Sequence, residues 1–247
     1  MMDYNDSNNI LLLGNCLERL QELTDKSVDT TITSPPYNMN LRIRNGKYCS
    51  RQIVKEISTK YVDFDDNLSM EEYYNFNVDV ISELLRVSKL VFYNIQILTG
   101  NKPALFKLMG HFHDKIKDII IWDKINAQPA IGSGVMNSQF EIILVLSDTN
   151  AISRQFVDAP FKRGTLSNCW SIKRGKKISK DHGATFPEEL VTKVVESFTH
   201  VGDTILDPFM GTGTTGVVCG NLNRKFIGIE LSKNYFKLSK QRITGIV

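Results

Sequence analysis

Short apolar stretches alternate with segments of helical periodicity along the chain. Seven stretches rich in β-branched and aliphatic residues predict strands at 10–13, 28–33, 90–93, 119–122, 142–146, 204–206 and 225–229. Between them, helical spacing predicts helices at 17–23, 102–112, 187–198, 214–222 and 232–243. Such alternation is typical of an α/β fold with a mostly parallel sheet and helices on both faces.

A further helix is predicted to begin at Ser69, because Ser69 and Glu72 have the spacing of a capping box. Its buried face is expected to carry four residues at helical spacing, Tyr74, Val78, Ile81 and Leu85. The segments 38–66 and 148–186 show little periodicity and are predicted to be irregular. Long irregular segments in a compact domain are usually functional or mobile.

The bulk composition describes an ordinary globular protein. The chain has 247 residues, 42% hydrophobic and 23% charged, which suits a single domain spanning 1–247. No apolar run reaches the ~20 residues of a membrane span, so we expect no membrane association. The polar N-terminus lacks a signal-peptide pattern, which predicts a cytoplasmic protein.

Cysteine and histidine positions predict no metal site. The four cysteines are scattered without a CxxC pair, and the four histidines lack HExxH spacing. His111 and His113 alternate on a short stretch and are interpreted as surface histidines rather than as metal ligands.

Positive charge is concentrated in two segments, although the net charge is only +3. The segment 42–60 holds six basic residues against one acid, namely Arg42, Arg44, Lys47, Arg51, Lys55 and Lys60. The segment 154–180 holds eight against one acid, namely Arg154, Lys162, Arg163, Lys173, Arg174, Lys176, Lys177 and Lys180. A solvated loop is the simplest interpretation of each segment, and polyanion binding is the functional one.

A glycine-rich loop near the C-terminus follows a predicted strand and opens a predicted helix. Residues Gly211, Gly213 and Gly216 match the pattern GxGxxG, and Glu230 lies 19 residues after Gly211 at the end of the next strand. Glycines let the backbone approach a ligand, and a carboxylate can accept two hydrogen bonds from a ribose diol. This pattern by itself does not distinguish NAD from S-adenosylmethionine (SAM).

The position of the glycine loop limits the topology. Only about forty residues follow Leu206 at the end of the preceding strand, too few for the several strands that a dinucleotide fold places after its glycine loop. The remaining strands must therefore come from the N-terminal part of the chain. The sequence thus predicts a circularly permuted order of motifs, which is rare among NAD enzymes.

A second loop, Ser34-Pro35-Pro36-Tyr37, ends the predicted strand 28–33. Two prolines stop the strand ladder, and they leave carbonyl groups without amide partners. The serine hydroxyl, a carbonyl and the tyrosine ring can together accept hydrogen bonds from an amino group and stack on its heterocycle. The carboxyl end of a strand is where α/β folds place their active sites.

The two loops together resemble the motifs of amino-group DNA methyltransferases, in the beta class, where the catalytic motif precedes the cofactor motif. The resemblance extends over almost the whole chain apart from the basic segments. It includes Gly14-Asn15, where the family usually has Asp after Gly, and the stretch from His182 to Leu190, where the family often has His-Pro. It implies a Rossmann-like, SAM-dependent methyltransferase fold.

The resemblance also implies roles for individual residues. The catalytic residues would be Ser34, Pro35, Pro36 and Tyr37, with Tyr37 stacking on a base extruded from double-stranded DNA. The cofactor site would be formed by Asn15, Phe186, Asp207, Phe209, Gly211, Gly213, Thr214, Thr215 and Glu230. The candidate DNA-contact loops are 38–66 and 124–180, with Arg42, Arg44, Lys47, Arg51, Lys162, Arg163, Lys173, Arg174, Lys176 and Lys177 as contacts. A homodimer and a cognate restriction endonuclease are further partners that the family allows.

The serine at the first catalytic position favours cytosine N4 as the methylated atom. In the family, serine there goes mostly with cytosine N4, and Asp or Asn mostly with adenine N6. Methylation of cytosine C5 needs a thiolate nucleophile, in that family from a Pro-Cys pair, and the chain has no Pro-Cys dipeptide.

Four alternatives stay open from the sequence. Adenine N6 keeps the same chemistry, and related loops act on RNA bases or on protein glutamine. A nicotinamide oxidoreductase would use the glycine loop but leaves Ser34 to Tyr37 unexplained. A DNA-binding module without catalysis would retain the fold alone.

Overall fold

The computed structural model describes residues 3–38, 42–44, 47–49, 68–128, 133–175 and 186–245. The strands in these ranges are β1 (Tyr4–Asn5), β2 (Asn9–Leu13), β3 (Val28–Thr33), β4 (Arg42–Arg44), β5 (Lys47–Cys49), β6 (Ser88–Ile95), β7 (Ile116–Gln128), β8 (Ser138–Leu146), β9 (Cys169–Ser171), β10 (Thr204–Asp207) and β11 (Lys225–Glu230). The helices are α1 (Cys16–Gln21), α2 (Met70–Val87), α3 (Lys102–His111), α4 (Glu188–Phe198), α5 (Thr214–Asn221) and α6 (Lys233–Thr244).

The main sheet has nine strands in the order β1-β2-β11-β10-β3-β6-β8-β7-β9. Its five central strands, from β2 to β6, are all parallel. β8 runs antiparallel to both β6 and β7, β9 runs parallel to β7, and β1 is an antiparallel edge strand. The prediction of a mostly parallel sheet is confirmed.

The last two strands of the chain lie in the middle of this sheet. β10 and β11 are inserted between β2 and β3, so that β11 pairs with β2 and β10 pairs with β3. The order of strands in space therefore differs from their order in sequence at this point. This arrangement confirms the predicted circular permutation.

Helices cover both faces of the sheet. One core cluster joins apolar residues of α4, α5 and α6 to the sheet, and the other joins residues of α1, α2 and α3 to the opposite face. Leu11 and Leu12 of β2 belong to different clusters, because successive side chains of a strand point to opposite faces. The apolar strands detected in the sequence are thus buried on both sides.

Helix α2 begins at the predicted capping box. The Ser69 hydroxyl accepts from the Glu72 amide at 3.2 Å, and the Glu72 carboxylate accepts from the Ser69 amide at 2.9 Å. The predicted buried face is partly wrong, because Tyr74 and Val78 are half-exposed whereas Tyr73 and Asn77 are buried. Asn77 accepts from the Tyr93 hydroxyl at 2.5 Å, so a polar side chain occupies a core position that apolar periodicity cannot detect.

Two segments predicted to be irregular contain short strands. β4 and β5 form an antiparallel pair inside 38–66, and β9 inside 148–186 adds a parallel strand to β7. β9 has three residues, which is too short a segment to show a periodic pattern in the sequence. It pairs with β7 only in the tertiary structure. β7 and β8 are also longer than the apolar runs 119–122 and 142–146 that predicted them.

Candidate active site

The crossover connections diverge at the boundary between β10 and β3. From β10 the chain passes through α5 on one face to β11, whereas from β3 it passes through α2 on the other face to β6. A crevice forms at the carboxyl ends of the strands where connections diverge in this way, and ligands bind there. The two loops singled out in the sequence, which begin at Ser34 and Pro208, leave the sheet at this crevice.

Asp207 connects the two loops. Its Oδ1 accepts from the Thr33 hydroxyl at 2.9 Å and from the Phe209 amide at 3.1 Å, and its Oδ2 accepts from the Thr215 hydroxyl at 2.8 Å. Burial raises the pKa of Asp207 to about 6, and these hydrogen bonds partly offset that rise. Asp207 was predicted to line the cofactor site. The structure places its carboxylate in the interior, where it braces β3, β10 and α5.

Glu230 is half-buried at the carboxyl end of the neighbouring strand β11. Its Oε2 accepts from the Gly211 amide at 2.7 Å, and its Oε1 accepts from the Ser232 amide at 2.8 Å. Burial raises the pKa of Glu230 to about 7 despite these two backbone donors. Each carboxylate oxygen has a further lone pair, so Glu230 can accept hydrogen bonds from a diol in the crevice.

The glycines of the loop serve two purposes. Gly213 has φ +80°, a left-handed conformation that favours glycine, and it caps the start of α5. A Cβ at Gly213 would lie 2.8 Å from the Ser239 Cβ, and one at Gly216 would lie 2.5 Å from the Ile243 Cδ1. Gly216 therefore allows close packing of α5 against α6 rather than contact with a ligand.

Thr214 begins α5, and its buried hydroxyl oxygen has no hydrogen-bond partner among the residues that the structure describes. A buried polar atom of this kind is unusual and needs an explanation, such as a ligand. The positive end of the α5 dipole lies at the same place. Thr214 and Glu230 together fit a cofactor that carries both a polar group and a ribose.

Two further residues predicted for the cofactor site lie around the same edge. Asn15 follows β2 next to Glu230, since the Gly14 amide donates to the Glu230 carbonyl at 3.0 Å. The Asn15 side chain accepts from the Leu17 amide at 2.9 Å and so caps α1. Phe209 is half-buried in edge contact with Phe76, their ring centroids 6.2 Å apart.

Phe186 precedes α4 and is half-buried against the core cluster of α4, α5 and α6. Gly175 lies beside it, since a Cβ there would be 3.5 Å from the Phe186 carbonyl oxygen. The structure gives no contact between Phe186 and Glu230 or Thr214, so its role at the cofactor site stays a prediction.

Within the catalytic loop only Ser34 is half-exposed, whereas Pro35, Pro36 and Tyr37 are buried. The Tyr73 hydroxyl of α2 donates to the Pro36 carbonyl at 2.9 Å, and Asn101 beside α3 donates to the Tyr37 carbonyl at 2.8 Å. These two contacts clamp the loop against the helices. The Pro36 and Tyr37 carbonyls are thus already engaged by protein donors, which leaves those of Ser34 and Pro35 as the first candidates for the predicted carbonyl acceptor.

The Tyr37 ring does not present an open face, which corrects the expectation from the sequence. Tyr37 is 6% exposed, and its ring packs in a cluster with Tyr73, Ile95 and Leu105. Its hydroxyl lies 2.6 Å from the Ser34 Oγ and donates to the Glu141 Oε2 at 2.9 Å. Buried polar partners thus hold the tyrosine inward, toward the sheet.

Three residues next to Tyr37 were missed by the sequence analysis. Asn94 lies one residue before the end of β6, Glu141 precedes the apolar run of β8, and Lys124 lies on β7. The Lys124 Nζ is 3.2 Å from the Glu141 Oε1, and burial lowers the pKa of Lys124 while Glu141 opposes that shift. A polar residue at the end of an apolar strand, on the edge that carries the site, is the signal that would have found Asn94 and Glu141.

The sequence profile of a protein family described as DNA methylase matches residues 28–241 of the chain. The chain belongs to this family of N6/N4 amino-group DNA methylases. The motif order, the permuted sheet and the site at the crevice agree with that membership.

Curated relatives match this methylase over nearly its whole length. M2.DpnII of Streptococcus pneumoniae, a Type II methyltransferase, is 27% identical over 254 residues that cover 97% of this chain and 91% of the relative. M.HinfI of Haemophilus influenzae, also a Type II methyltransferase, is 29% identical over 259 residues that cover 99% of this chain and 70% of the relative.

Solved structures share the fold of the methylase. The PvuII DNA methyltransferase, which is cytosine-N4-specific, superposes with a TM-score of 0.73 at 17% identity and covers 97% of this chain and 87% of its own. The M1.HpyAVI complex with SAM superposes with a TM-score of 0.59 at 22% identity and covers 95% of this chain and 99% of its own.

The structure of the methylase places the exposed basic residues that were predicted to contact DNA at two opposite edges of the sheet. Lys173 and Arg174 are exposed and follow Ile172, whose carbonyl accepts from the Trp122 indole at 2.8 Å, and Trp122 lies opposite Glu141 of β8 in the sheet. They therefore lie at the edge of the sheet that carries Ser34, since β7 runs in the same direction as β3.

Lys162 and Arg163 are also exposed but lie elsewhere. They follow Phe161, whose ring packs edge-on against the Phe198 ring at the end of α4, with the ring centroids 5.3 Å apart. That helix end leads into the amino end of β10, on the edge opposite the site. The structure therefore does not bring Lys162 and Arg163 together with the other site residues.

The remaining predicted DNA contacts lie outside the described residues. These are Arg51, Lys176 and Lys177, together with the side chains of Arg42, Arg44 and Lys47. Among the residues that the structure does describe, no group of three His, Cys, Asp or Glu is arranged to hold a metal ion. None of the described helices is both long and apolar enough to cross a membrane.

Proposed function

We propose that this DNA methylase transfers a methyl group to the exocyclic N4 amine of cytosine in double-stranded DNA. Ser34 carries the proposal, because it is a serine at the first catalytic position and the half-exposed residue of its loop at the crevice. The cytosine-N4-specific PvuII enzyme has the same fold, which supports the proposal at the level of architecture.

S-adenosyl-L-methionine is the cofactor, and it supplies an electrophilic methyl group on a sulfonium whose S–C bond breaks as the new N–C bond forms. We assign Glu230 to its ribose diol and the Thr214 hydroxyl to a polar group of the cofactor. Asp207 keeps the cofactor loop and the catalytic loop in register through the hydroxyls of Thr33 and Thr215.

Ser34 activates the exocyclic amine of the target base. The lone pair of an exocyclic amine is delocalised into the ring, which makes the amine a poor nucleophile. When the Ser34 hydroxyl and a neighbouring carbonyl accept its two N–H bonds, the lone pair is localised toward the methyl group. Catalysis then rests on alignment and on preorganised acceptors, without a covalent intermediate.

The target base must leave the duplex to reach Ser34. Lys173 and Arg174 lie at the same edge as Ser34, and we assign them to contacts with the phosphates beside the extruded nucleotide. Tyr37 is assigned to the support of Ser34 through its hydroxyl rather than to stacking of its ring face.

Adenine N6 is the second candidate, since adenine presents an exocyclic amine with the same geometry of donors. The family match to DNA methylases argues against RNA, protein amides and nicotinamide chemistry as the main activity. The relatives M2.DpnII and M.HinfI are Type II methyltransferases, which supports a cognate restriction endonuclease as a partner. A homodimer stays a prediction from the family resemblance.

The test is methyl transfer from labelled SAM to unmethylated genomic DNA, followed by mass analysis of the nucleosides. We expect N4-methyldeoxycytidine, whereas N6-methyldeoxyadenosine would overturn the assignment of the base. The variant Ser34→Ala should bind SAM normally and lose methyl transfer, and retained transfer in this variant would contradict the role of Ser34.

A further inference from the structure

A buried polar network lies directly behind Ser34. The Glu141 carboxylate, 8% exposed, accepts on Oε2 from the Tyr37 hydroxyl at 2.9 Å and from the Asn94 amide at 2.8 Å. Its Oε1 lies 3.2 Å from the ammonium of Lys124, which is 2% exposed. Buried charges are rare unless they are paired and hydrogen-bonded, so this arrangement is a built feature of the site.

The direction of each hydrogen bond in the network follows from counting donors. The Tyr37 hydroxyl has one proton, and that proton goes to Glu141 because an ionised carboxylate only accepts. The Asn94 Nδ2 donates to the Tyr37 Oη at 2.6 Å. If the nitrogen and oxygen of the Asn94 side-chain amide were exchanged, the oxygen would lie against the Glu141 carboxylate, and two acceptors would face each other. The nitrogen is therefore assigned to this position.

Ser34 must therefore be a donor toward the interior. The Ser34 Oγ lies 2.6 Å from the Tyr37 Oη, whose one proton is already directed at Glu141, so the hydroxyl proton between them belongs to Ser34. The lone pairs of Ser34 are then left for a group in the crevice. Every donor in the chain from Ser34 through Tyr37 to Glu141 points away from the crevice.

We propose that Glu141 is the terminal proton acceptor of this methylase, acting through Tyr37 and Ser34. The inference rests on the proposed methyl transfer to an amine held by Ser34, and it applies equally to cytosine N4 and adenine N6. Glu141 acts through other residues, so it is a positioning residue that also receives the released proton.

The relay balances the reaction. Formation of the N–C bond leaves the amine nitrogen with a positive charge and one proton more than the product carries. That proton passes to the Ser34 Oγ, the Ser34 proton passes to the Tyr37 Oη, and the Tyr37 proton passes to the Glu141 Oε2. Both hydroxyls are regenerated, and Glu141 becomes a neutral carboxylic acid.

Lys124 restores the starting state. With Glu141 neutral, the buried Lys124 ammonium has lost its counter-charge, which is unfavourable for a charge removed from water. Glu141 therefore releases the proton to solvent between turnovers. The titratable groups that face Glu141 in the described part of the chain are Lys124 from β7 and Tyr37 from the loop after β3, and Arg174 lies beyond Lys124.

The experiment is a single-turnover assay of the full chain at saturating SAM and DNA, from about pH 5 to about pH 9, the range in which carboxyl-dependent proton transfer is measured. The native rate should fall at low pH, because the relay needs a carboxylate at its end that can accept a proton. Glu141→Gln should bind SAM normally, react about 10²-fold more slowly, as expected for lost acid–base catalysis, and lack the fall at low pH. Glu196→Gln removes the same charge from an exposed position of α4 and should keep the native rate and profile.

Two results separate this inference from the proposed function. A native chain that methylates DNA while Glu141→Gln keeps both the rate and the acid limb would overturn the relay and leave the proposed function standing. A native chain that labels no exocyclic amine would overturn the proposed function itself.

If Glu141→Gln fails to bind SAM, the variant Tyr37→Phe provides the test, because it removes only the middle hydroxyl of the relay. A slow rate that does not change with pH in this variant supports the relay. A native rate overturns it.

Discussion

At the scale of single residues, two carboxyl groups at one edge of the sheet differ in the donors around them. Asp207 accepts three hydrogen bonds from protein groups and is 3% exposed, so its environment is complete without a ligand. Glu230 accepts from backbone amides alone and is only half-buried, so part of its carboxylate faces the crevice. Of the two, Glu230 is the carboxyl that can respond to cofactor binding.

The raised pKa of Glu230 predicts pH-dependent cofactor affinity. Its pKa is about 7, and the ionised form accepts stronger hydrogen bonds from ribose hydroxyls than the neutral form does. SAM affinity should therefore rise as the pH increases through about 7. Glu230→Gln should bind SAM more weakly above this pH and lose the dependence. Isothermal titration calorimetry would measure both, with exposed Glu189→Gln as the control.

At the scale of elements, the segment from β8 to α4 illustrates how one basic stretch can serve two surfaces. β9 joins the sheet in the middle of this stretch and directs Lys173 and Arg174 to the edge that carries the site. The aromatic contact between Phe161 and Phe198 holds Lys162 and Arg163 at the opposite edge. Charge density along the sequence is therefore a poor guide to which of these residues can reach DNA.

This division predicts different effects for two matched double substitutions. Lys173→Ala with Arg174→Ala should weaken DNA binding and reduce the slope of log affinity against log salt by about 2, since each phosphate contact contributes about 0.9. Lys162→Ala with Arg163→Ala removes the same charge and should leave the slope nearly unchanged. Fluorescence anisotropy over a salt series checks this, and equal slopes for the two variants would refute the assignment.

At the scale of the whole molecule, the centre of the sheet is formed by the end of the chain. β2 and β3 are separated by β11 and β10, so these two strands have no direct pairing with each other. The cofactor loop and the catalytic loop become neighbours only through this insertion, and the Thr33–Asp207 hydrogen bond joins residues 174 positions apart. Cofactor binding and folding of the complete sheet are thus linked.

Removal of the C-terminal strands should therefore abolish folding of the remainder. A chain that ends at residue 203 leaves β2 and β3 without partners on their inner edges, and it exposes the core face that α5 and α6 cover. We expect this fragment to show no cooperative thermal transition by circular dichroism. The full chain measured in parallel should unfold cooperatively, and a cooperative transition in the fragment would contradict the argument.

The sequence by itself determined the features that depend on neighbouring residues. Apolar runs and helical spacing located most of the strands and helices, because burial on one or two faces imposes a local period. Glycines, prolines and a well-placed acid located both loops, because turns and close approaches need particular residue types. The order of the two loops along the chain, with the catalytic loop before the cofactor loop, indicated the permuted sheet.

Only the tertiary structure decided which distant residues share an environment. Tyr37 turns inward because Glu141, 104 residues later, accepts its proton, and no local pattern contains that pairing. Contacts between distant parts of the chain likewise explain the burial of Lys124, the core position of Asn77 and the separation of Lys162 from Lys173. Polar groups are placed in the interior by partners that arrive from elsewhere in the chain, so their positions follow from the folded sheet rather than from periodicity.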